Sequence, residues 1–412
     1  MNTAVAAPVP DSRISPAHAA VPDERRENAA GAEEITPNDA GRLEQIRHNQ
    51  PAAAPLYCNF TSGSTGVPKG VLVGHASVIE FIDDFTDLFH ITDRDVIGNQ
   101  APFDFDVSVK DIYSCMKTGA TLVIIPTAYF RFPNQVMDML QEHQVTTLIW
   151  AVSALVLLNR LHEFLYKVPS AINKVLYSGE EMPAGHLADW MRQYPNAAFY
   201  NLYGPTEITC NCTYYPITGI PEAGAKIPIG LPYPHKEVFL LDEAGELIAA
   251  DCERREGELC VAGNCLALGY LNNEEATQRS FVTGPLPGGR SGRYYRTGDL
   301  AYYQDGLLYF AGRKDFQIKH NGHRIELEEI ERAMNALEQV QQGCCLYDEA
   351  RQRILAFYTG REDKAGIVAG LKQQLPEYMI PQVVRFLPQL PLSQNGKVDR
   401  RSLRQMAGIK GS

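Results

Sequence analysis

From Leu56 onward the hydrophobic positions fall into two rhythms. The short apolar runs VTTLIWAV (residues 145–152), KVLYSG (174–179) and AAFYNLYG (197–204) have the length and the β-branched or aromatic content of buried strands. Between the last two, HLADWMRQY repeats its apolar residues at helical spacing. Strand and helix in alternation predict an α/β fold. From about residue 225 to 310 the rhythm turns to hairpins, with HKEVFLLDEAGELIA reading as two strands around an Ala-Gly turn. Beyond Arg313-Lys314-Asp315 the pattern predicts a hairpin, a helix RIELEEIERAMNAL, strands GCCLYD and RILAFYTG, a helix through KAGIVAGLKQQL and a final loop. That stretch reads as a separate, small α+β domain of about 100 residues. No internal repeat is visible.

Residues 1–55 have another texture, rich in Ala, Pro and charge and poor in aromatics, ending in PAAAP. Such a composition cannot bury a core and predicts a mostly disordered tail, with a short helix between Thr36-Pro37 and His48. The predicted organisation is therefore a tail (1–55), a large α/β section with a β-rich part (56–313) and a small C-terminal domain (315–412).

With 412 residues, 45% of them hydrophobic, the chain is long enough for more than one core. A net charge of −11 argues against non-specific binding to nucleic acid or to an anionic membrane. No apolar run reaches the roughly 20 residues that span a bilayer, and the N-terminus lacks the pattern of a secretory signal. Nine scattered cysteines have no zinc-ribbon spacing and read as reduced thiols of a cytoplasmic protein.

Five stretches carry candidate chemistry. In YCNFTSGSTGVPKG the apolar run ends at Phe60. There follow Thr61, Ser62, Gly63, Ser64, Thr65 and Gly66, then Lys69, without Walker A spacing. Glycines allow tight turns, amides and hydroxyls can donate to phosphate oxygens, and Lys69 supplies a point charge; a bland flexible loop reads equally well. NLYGPTEIT leaves a strand-like run at the end where open α/β sheets bind ligands. There Asn201 offers an amide, Tyr203 an aromatic face, Thr206 a hydroxyl and Glu207 a hard oxygen for Mg²⁺; a capped turn is the alternative. In YRTGDLAYYQDG, Asp299 could accept both hydroxyls of a ribose, or belong to a hairpin turn. The charges of GRKDFQIKHNGHRIELEEIE read first as a solvated face, and Lys397 in SQNGKVDR says nothing by itself.

Taken in order, these stretches with FDFDVSVKDIYS resemble the adenylate-forming superfamily of acyl-CoA synthetases and nonribosomal-peptide adenylation domains. The amino-acid-activating members, including the D-alanine–D-alanyl carrier protein ligases, are the most similar. The resemblance runs from about Leu56 to Arg401. It implies an AMP-forming amino acid ligase using ATP and Mg²⁺. The Thr/Ser/Gly loop from Thr61 to Gly70 would cradle the β- and γ-phosphates. Asn201 and Tyr203, with Gly204 in their motif, would hold adenine, with Gly179 and Glu180 lining the same pocket. Thr206 would touch the α-phosphate, Glu207 carry the metal, Asp299 grip the ribose and Arg313 support it. Asp315 matches the hinge of a mobile C-terminal domain, and Lys397 the lysine acting on the substrate carboxylate during adenylation.

The resemblance also places an amino acid pocket. Asp106 matches the carboxylate that pairs with an α-amino group; its bland alternative is a local hydrogen bond. Val107, Lys110, Trp150, Leu176, Ser178, Leu202, Cys210 and Asn211 would line the pocket. Leu176, Ser178 and Leu202 are similar to serine-accepting pockets, with Trp150 capping the volume, so a small polar amino acid is expected and an acidic one is the runner-up. Lys110 departs from such pockets. It could meet a substrate carboxylate, pair with Asp106 or Asp111, or point to solvent. Family members carry a block of structure ahead of the phosphate loop that this sequence does not show, which leaves three readings. The fold closes without it; a homodimer mate or partner chain covers the exposed face; or the chain binds nucleotide without turnover. With no carrier domain following KVDR, the expected acceptor is a phosphopantetheinyl carrier protein in trans, with coenzyme A, as in an acyl-CoA ligase, as the alternative thiol.

Overall fold

The structure is a computed structural model that describes residues 41, 42, 44, 45, 49, 51, 54–61, 68–314, 317–392 and 398–409. The chain divides into two compact units, Met1–Ala54 and Pro55–Ser412. In the first, residues 41, 42, 44, 45 and 49 are helical, in and just beyond the stretch where a short helix is expected. The expected disorder of the rest lies outside the described residues.

The second unit is built around a seven-stranded sheet ordered β4-β3-β5-β6-β7-β8-β9. Its parallel part is β3 (Val96–Asn99), β4 (Thr121–Ile124), β5 (Thr147–Ala151), β6 (Lys174–Ser178) and β7 (Ala198–Tyr203). The antiparallel strands β8 (Thr213–Ile217) and β9 (Leu231–Pro232) complete it. The three apolar runs singled out in the sequence are β5, β6 and β7, and HLADWMRQY falls in the helix Ala184–Gln193. Because strand side chains alternate, the sheet feeds two cores. Ile149, Leu176 and Leu202 point into one with Phe81 and Phe85 of the helix His75–Leu88. Leu148, Trp150 and Tyr177 point into the other with Trp190.

The hairpin-rich section forms an antiparallel sheet. Its members are β10 (Lys236–Leu241), β11 (Leu247–Ile248), β12 (Gly257–Gly263), β14 (Phe281–Leu286), β15 (Arg290–Gln304) and β16 (Leu307–Arg313). The Ala-Gly turn lies between β10 and β11, with Gly245 at φ 84°. A third sheet joins β1 (Pro55–Thr61), β2 (Lys69–Gly74) and β13 (Gly269–Tyr270).

The C-terminal part holds the hairpin β17 (Gln317–His320) and β18 (His323–Glu326). Beside it is a sheet of β19 (Val340–Asp348), β20 (Arg353–Gly360) and β21 (Val383–Phe386), packed against the helices Leu327–Asn335 and Lys364–Gln374. Two expectations are corrected here. The helix read from Arg324 begins at Leu327, because residues 324–326 pair with β17 across an Asn321-Gly322 turn in which both residues have positive φ. The stretch read as a final loop contains β21 and the helix Arg400–Ala407, capped by the Asp399 side chain. All nine cysteines are free thiols. Among the described residues no helix is long and apolar enough to cross a membrane.

Candidate functional site

The candidate residues gather at the C-terminal ends of the parallel strands, beside the switch point between β3 and β5, where an open α/β sheet presents a ligand crevice. After β7 the chain folds back sharply. The Cys212 amide donates to the Tyr203 carbonyl at 2.8 Å, and Thr206–Ile208 make one 3-10 turn. Gly204 is required there, because an added Cβ would lie 2.6 Å from Asn211 Cα. Thr209, a β-branched residue at φ 60°, is held in the left-handed region by donating its hydroxyl to the Cys265 carbonyl at 2.8 Å. This fold-back holds Thr206 and Glu207 at the mouth of the crevice.

Glu207 is 1% exposed. Tyr270 Oη donates to its Oε1 at 2.9 Å and Arg324 Nη1 to its Oε2 at 2.7 Å. Burial opposes its charge, but the Arg324 guanidinium and the hydrogen bonds outweigh it and hold the carboxyl below its ordinary range. Lys69, opposite Thr61 at the open end of the β1–β2 pair, lies over the Tyr270 ring, 5.4 Å from its centroid. Burial lowers the Lys69 pKa, and Glu326 opposes that. Ser62, Gly63, Ser64, Thr65 and Gly66, between these strands, lie outside the described residues, as do Asp315 and Lys397.

On the same crevice, Tyr203 donates its hydroxyl to Asp299 and Arg313 pairs with the other carboxylate oxygen. Register sets this pair: Asp299 on β15 lies directly across from Arg313 on β16. Burial and the Asp299 charge keep the Tyr203 phenol protonated. Lys319 Nζ sits 5.7 Å from the Tyr203 ring centroid. Asn201 joins the group through β7, but its amide donates to the Pro228 carbonyl at 2.8 Å. Gly179 follows β6 at φ 101°, and the next residue, Glu180, accepts from the Gly322 amide at 2.8 Å.

Asp106 lies between β3 and the helix Ser108–Thr118. Burial raises the pKa of its side chain, with the nearby Thr206 hydroxyl and Lys110 charge opposing the shift. Cys210 Sγ donates to the Asp106 carbonyl at 3.1 Å, and Val107 is the residue that starts the helix. Lys110 is 1% exposed, so its solvent alternative falls away. Its Nζ donates to Asn211 Oδ1 at 3.0 Å and Ser178 Oγ at 3.4 Å. Among the described residues no carboxylate lies within ion-pair distance of it, and Asp111 accepts from Asn99 at 2.6 Å instead. Leu176 and Leu202 share one core beneath this pocket. Trp150 does not join them. Pairing opposite Tyr177, it occupies the other face of the sheet, with Nε1 on the Gly98 carbonyl at 2.7 Å and its ring against Phe130. The expected cap on the pocket is thereby corrected: Ile149 and Ala151, level with Leu176 and Ser178, are the β5 residues on the pocket face.

Sequence reasoning missed Tyr270, Lys319 and Arg324. The last two sit in the stretch read as a solvated charged face, and only the Asn-Gly hairpin turn hinted that the charges would be carried inward.

The residues suit a nucleotide and a divalent cation. Tyr203, Asp299 and Arg313 form an aromatic and carboxylate lining, and Glu207 is a buried carboxylate already held ionised by a cation. Among the described residues no cluster of three His, Cys, Asp or Glu side chains occurs. One carboxylate with phosphate and water for the remaining positions is the regime of Mg²⁺.

The sequence family described as AMP-binding enzyme matches residues 4–271, and AMP-binding enzyme C-terminal domain matches residues 329–397. The chain belongs to this adenylate-forming family. Its match begins well before the first motif at Tyr57. Bacitracin synthase 1 of Bacillus licheniformis is 37% identical over 353 residues, 84% of this chain but 6% of that protein. D-Alanine–D-alanyl carrier protein ligase of Staphylococcus haemolyticus is 36% identical over 362 residues, 84% of this chain and 70% of that one. Among solved structures, the Vibrio cholerae adenylation domain AlmE in complex with glycyl-adenosine-5'-phosphate superposes with a TM-score of 0.77 at 26% identity, covering 90% of this chain and 69% of that chain.

Proposed function

We propose that this chain activates an amino acid with ATP, forming aminoacyl-AMP and pyrophosphate, and then passes the aminoacyl group to the phosphopantetheine thiol of a separate carrier protein. The observation that carries the reading is the hydrogen bond from Cys210 Sγ, on the fold-back after β7, to the Asp106 carbonyl at 3.1 Å. It joins the candidate α-amino site to the turn that presents Glu207, so both substrates would meet within one hydrogen-bonded unit.

In the first step a substrate carboxylate oxygen bonds the α-phosphorus and the bond to the bridging oxygen breaks, releasing pyrophosphate. Asp106 would hold the ammonium, Thr206 the α-phosphate and Tyr203 with Asp299 and Arg313 the nucleoside. Glu207 would hold Mg²⁺, which supplies positive charge against the phosphates. Lys69 and Lys397 would offset the charge that develops as two anions approach. In the second step the thiolate sulfur bonds the acyl carbon and AMP departs. A lysine on a mobile C-terminal domain, turning about Asp315, can serve the first step and then withdraw.

For the substrate side chain, Ser178, Leu176 and Leu202 support a small polar group, and Lys110 adds a buried donor aimed at the same wall. That donor favours a second reading, an acidic side chain. Asp106 disfavours an acid without an amino group, the substrate of an acyl-CoA ligase. Intact-mass measurement of a holo-carrier protein, incubated with the chain, ATP and a panel of amino acids, tests the transfer. Gain of one aminoacyl mass supports it; acylation of coenzyme A with the carrier unchanged would refute the carrier as acceptor.

A further inference from the structure

Arg324 is a residue to which neither the sequence motifs nor the proposed reaction gives a task. It lies on β18 of the C-terminal hairpin and reaches a carboxylate more than a hundred positions earlier in the chain. Its side chain is 19% exposed and that of Glu207 1%. The guanidinium is aimed by Gln317, whose side-chain oxygen accepts from Arg324 Nε at 2.7 Å across the β17–β18 pair. The rest of the hairpin is seated as well. The Gly322 amide donates to Glu180, and the His323 ring meets Phe105 edge-on with centroids 5.2 Å apart. Glu207 is thus the point at which a cation from the C-terminal part enters the crevice.

A buried carboxylate needs a cation, because removing one partner of a buried pair leaves an uncompensated charge. A divalent ion and a guanidinium make the same demand on Glu207 and repel one another. We propose that Arg324 and the divalent cation exchange at Glu207, so that the hairpin seats on the crevice only when the metal is absent and metal binding unseats it. Arg324 is then a positioning residue. It acts through Glu207, keeps that carboxylate charged between metal-bound states, and couples metal occupancy to the position of the C-terminal hairpin. The proposal rests on the reading of Glu207 as the metal-holding carboxylate.

Linkage makes this testable, since a competitor that binds one state shifts the midpoint of the other. The full chain is held at a fixed, subsaturating concentration of α,β-methylene ATP, which cannot release pyrophosphate. Mg²⁺ is then titrated while hydrogen exchange of the amides in residues 317–326 is followed. In the wild type these amides are expected to be protected without metal and to lose protection as Mg²⁺ is added. In Arg324→Gln the half-saturating Mg²⁺ concentration for analogue binding should fall about fivefold or more, and the hairpin should exchange fast even without metal. Arg324→Lys, which keeps the charge but not the fork, should lie between, and it decides the matter if Arg324→Gln does not fold. An equal Mg²⁺ midpoint in wild type and Arg324→Lys or Arg324→Gln, with the analogue bound, overturns the exchange alone. A wild type that binds no analogue at any Mg²⁺ concentration overturns the nucleotide site and the exchange together.

Discussion

Asp299 and Glu207, at the end of the crevice read as the nucleotide site, each face a guanidinium, from Arg313 and Arg324 respectively. Lys110, at the end read as the amino acid site, faces an amide and a hydroxyl. The first arrangement is closed: charge meets charge, and the geometry is complete before any ligand arrives. The second is open. Asp106 and Lys110 lie one helical turn apart in sequence yet make no ion pair, and burial disfavours the charge of each until a partner arrives. An amino acid would bring an ammonium to Asp106, and an acceptor on its side chain would answer Lys110. The contrast separates a charge-paired nucleotide end, where Arg324 yields to the metal, from a selective end tuned by single residues such as Lys110.

The largest effect is expected from a cation that belongs to neither end. Lys397→Ala should lower amino-acid-dependent pyrophosphate exchange by about two decades or more, with nucleotide binding, read by calorimetry, unchanged. Loss of binding in that variant would show that Lys397 holds ground-state nucleotide instead. Next, Asp299→Asn removes the counter-charge of Arg313 and should cost about 3 kcal/mol in denaturant-unfolding stability. A change below about 1 kcal/mol would mean that the pair is solvated and the nucleotide end is not closed in the sense described.

At the open end, Lys110→Met should lower kcat/KM by about tenfold or more for a substrate whose side chain presents an acceptor, while an apolar analogue of similar size loses little. Equal losses for both would make Lys110 a packing residue and erase the contrast. The smallest effect concerns pH. The folded-state pKa of Glu207 lies below its unfolded value, so its contribution is present above the ordinary carboxylate range and disappears as pH falls through the folded value. Protection of the hairpin amides should therefore hold across the neutral range and decline only at pH values below the ordinary carboxylate range. A decline already at pH 6 would point to His323 or His320, whose pKa values burial lowers.

Much of the scaffold was readable because its cause is local. Buried parallel strands are short apolar runs, and β5, β6 and β7 stand where those runs stand. Asn321-Gly322 is a turn signal independent of context, and Gly204 marks a fold-back that only glycine fits. What escaped the sequence depended on distant partners or on phase. The β21 stretch VVRF is too short to show alternation and is a strand because β20 lies beside it. Trp150 was assigned to the wrong face because register, not composition, decides which strand neighbours share a side. The charges of Lys319 and Arg324 look like a solvated surface until the hairpin is laid on Glu207 and Tyr203. The ordered motifs located the crevice, whereas the ion pairs that close one end of it became visible only in three dimensions.

If the two ends form one adenylating site, exchange of pyrophosphate into ATP depends on an amino acid. The most direct measurement is ATP–pyrophosphate exchange by the purified chain across serine, threonine, cysteine, both hands of alanine, aspartate and diaminopropionate. Exchange is expected with a small polar member of the panel, or with aspartate if Lys110 reads a carboxylate, and none without an amino acid. No exchange with any of them, while ATP remains bound, would contradict the single adenylating site and leave a nucleotide-binding relative without adenylation chemistry.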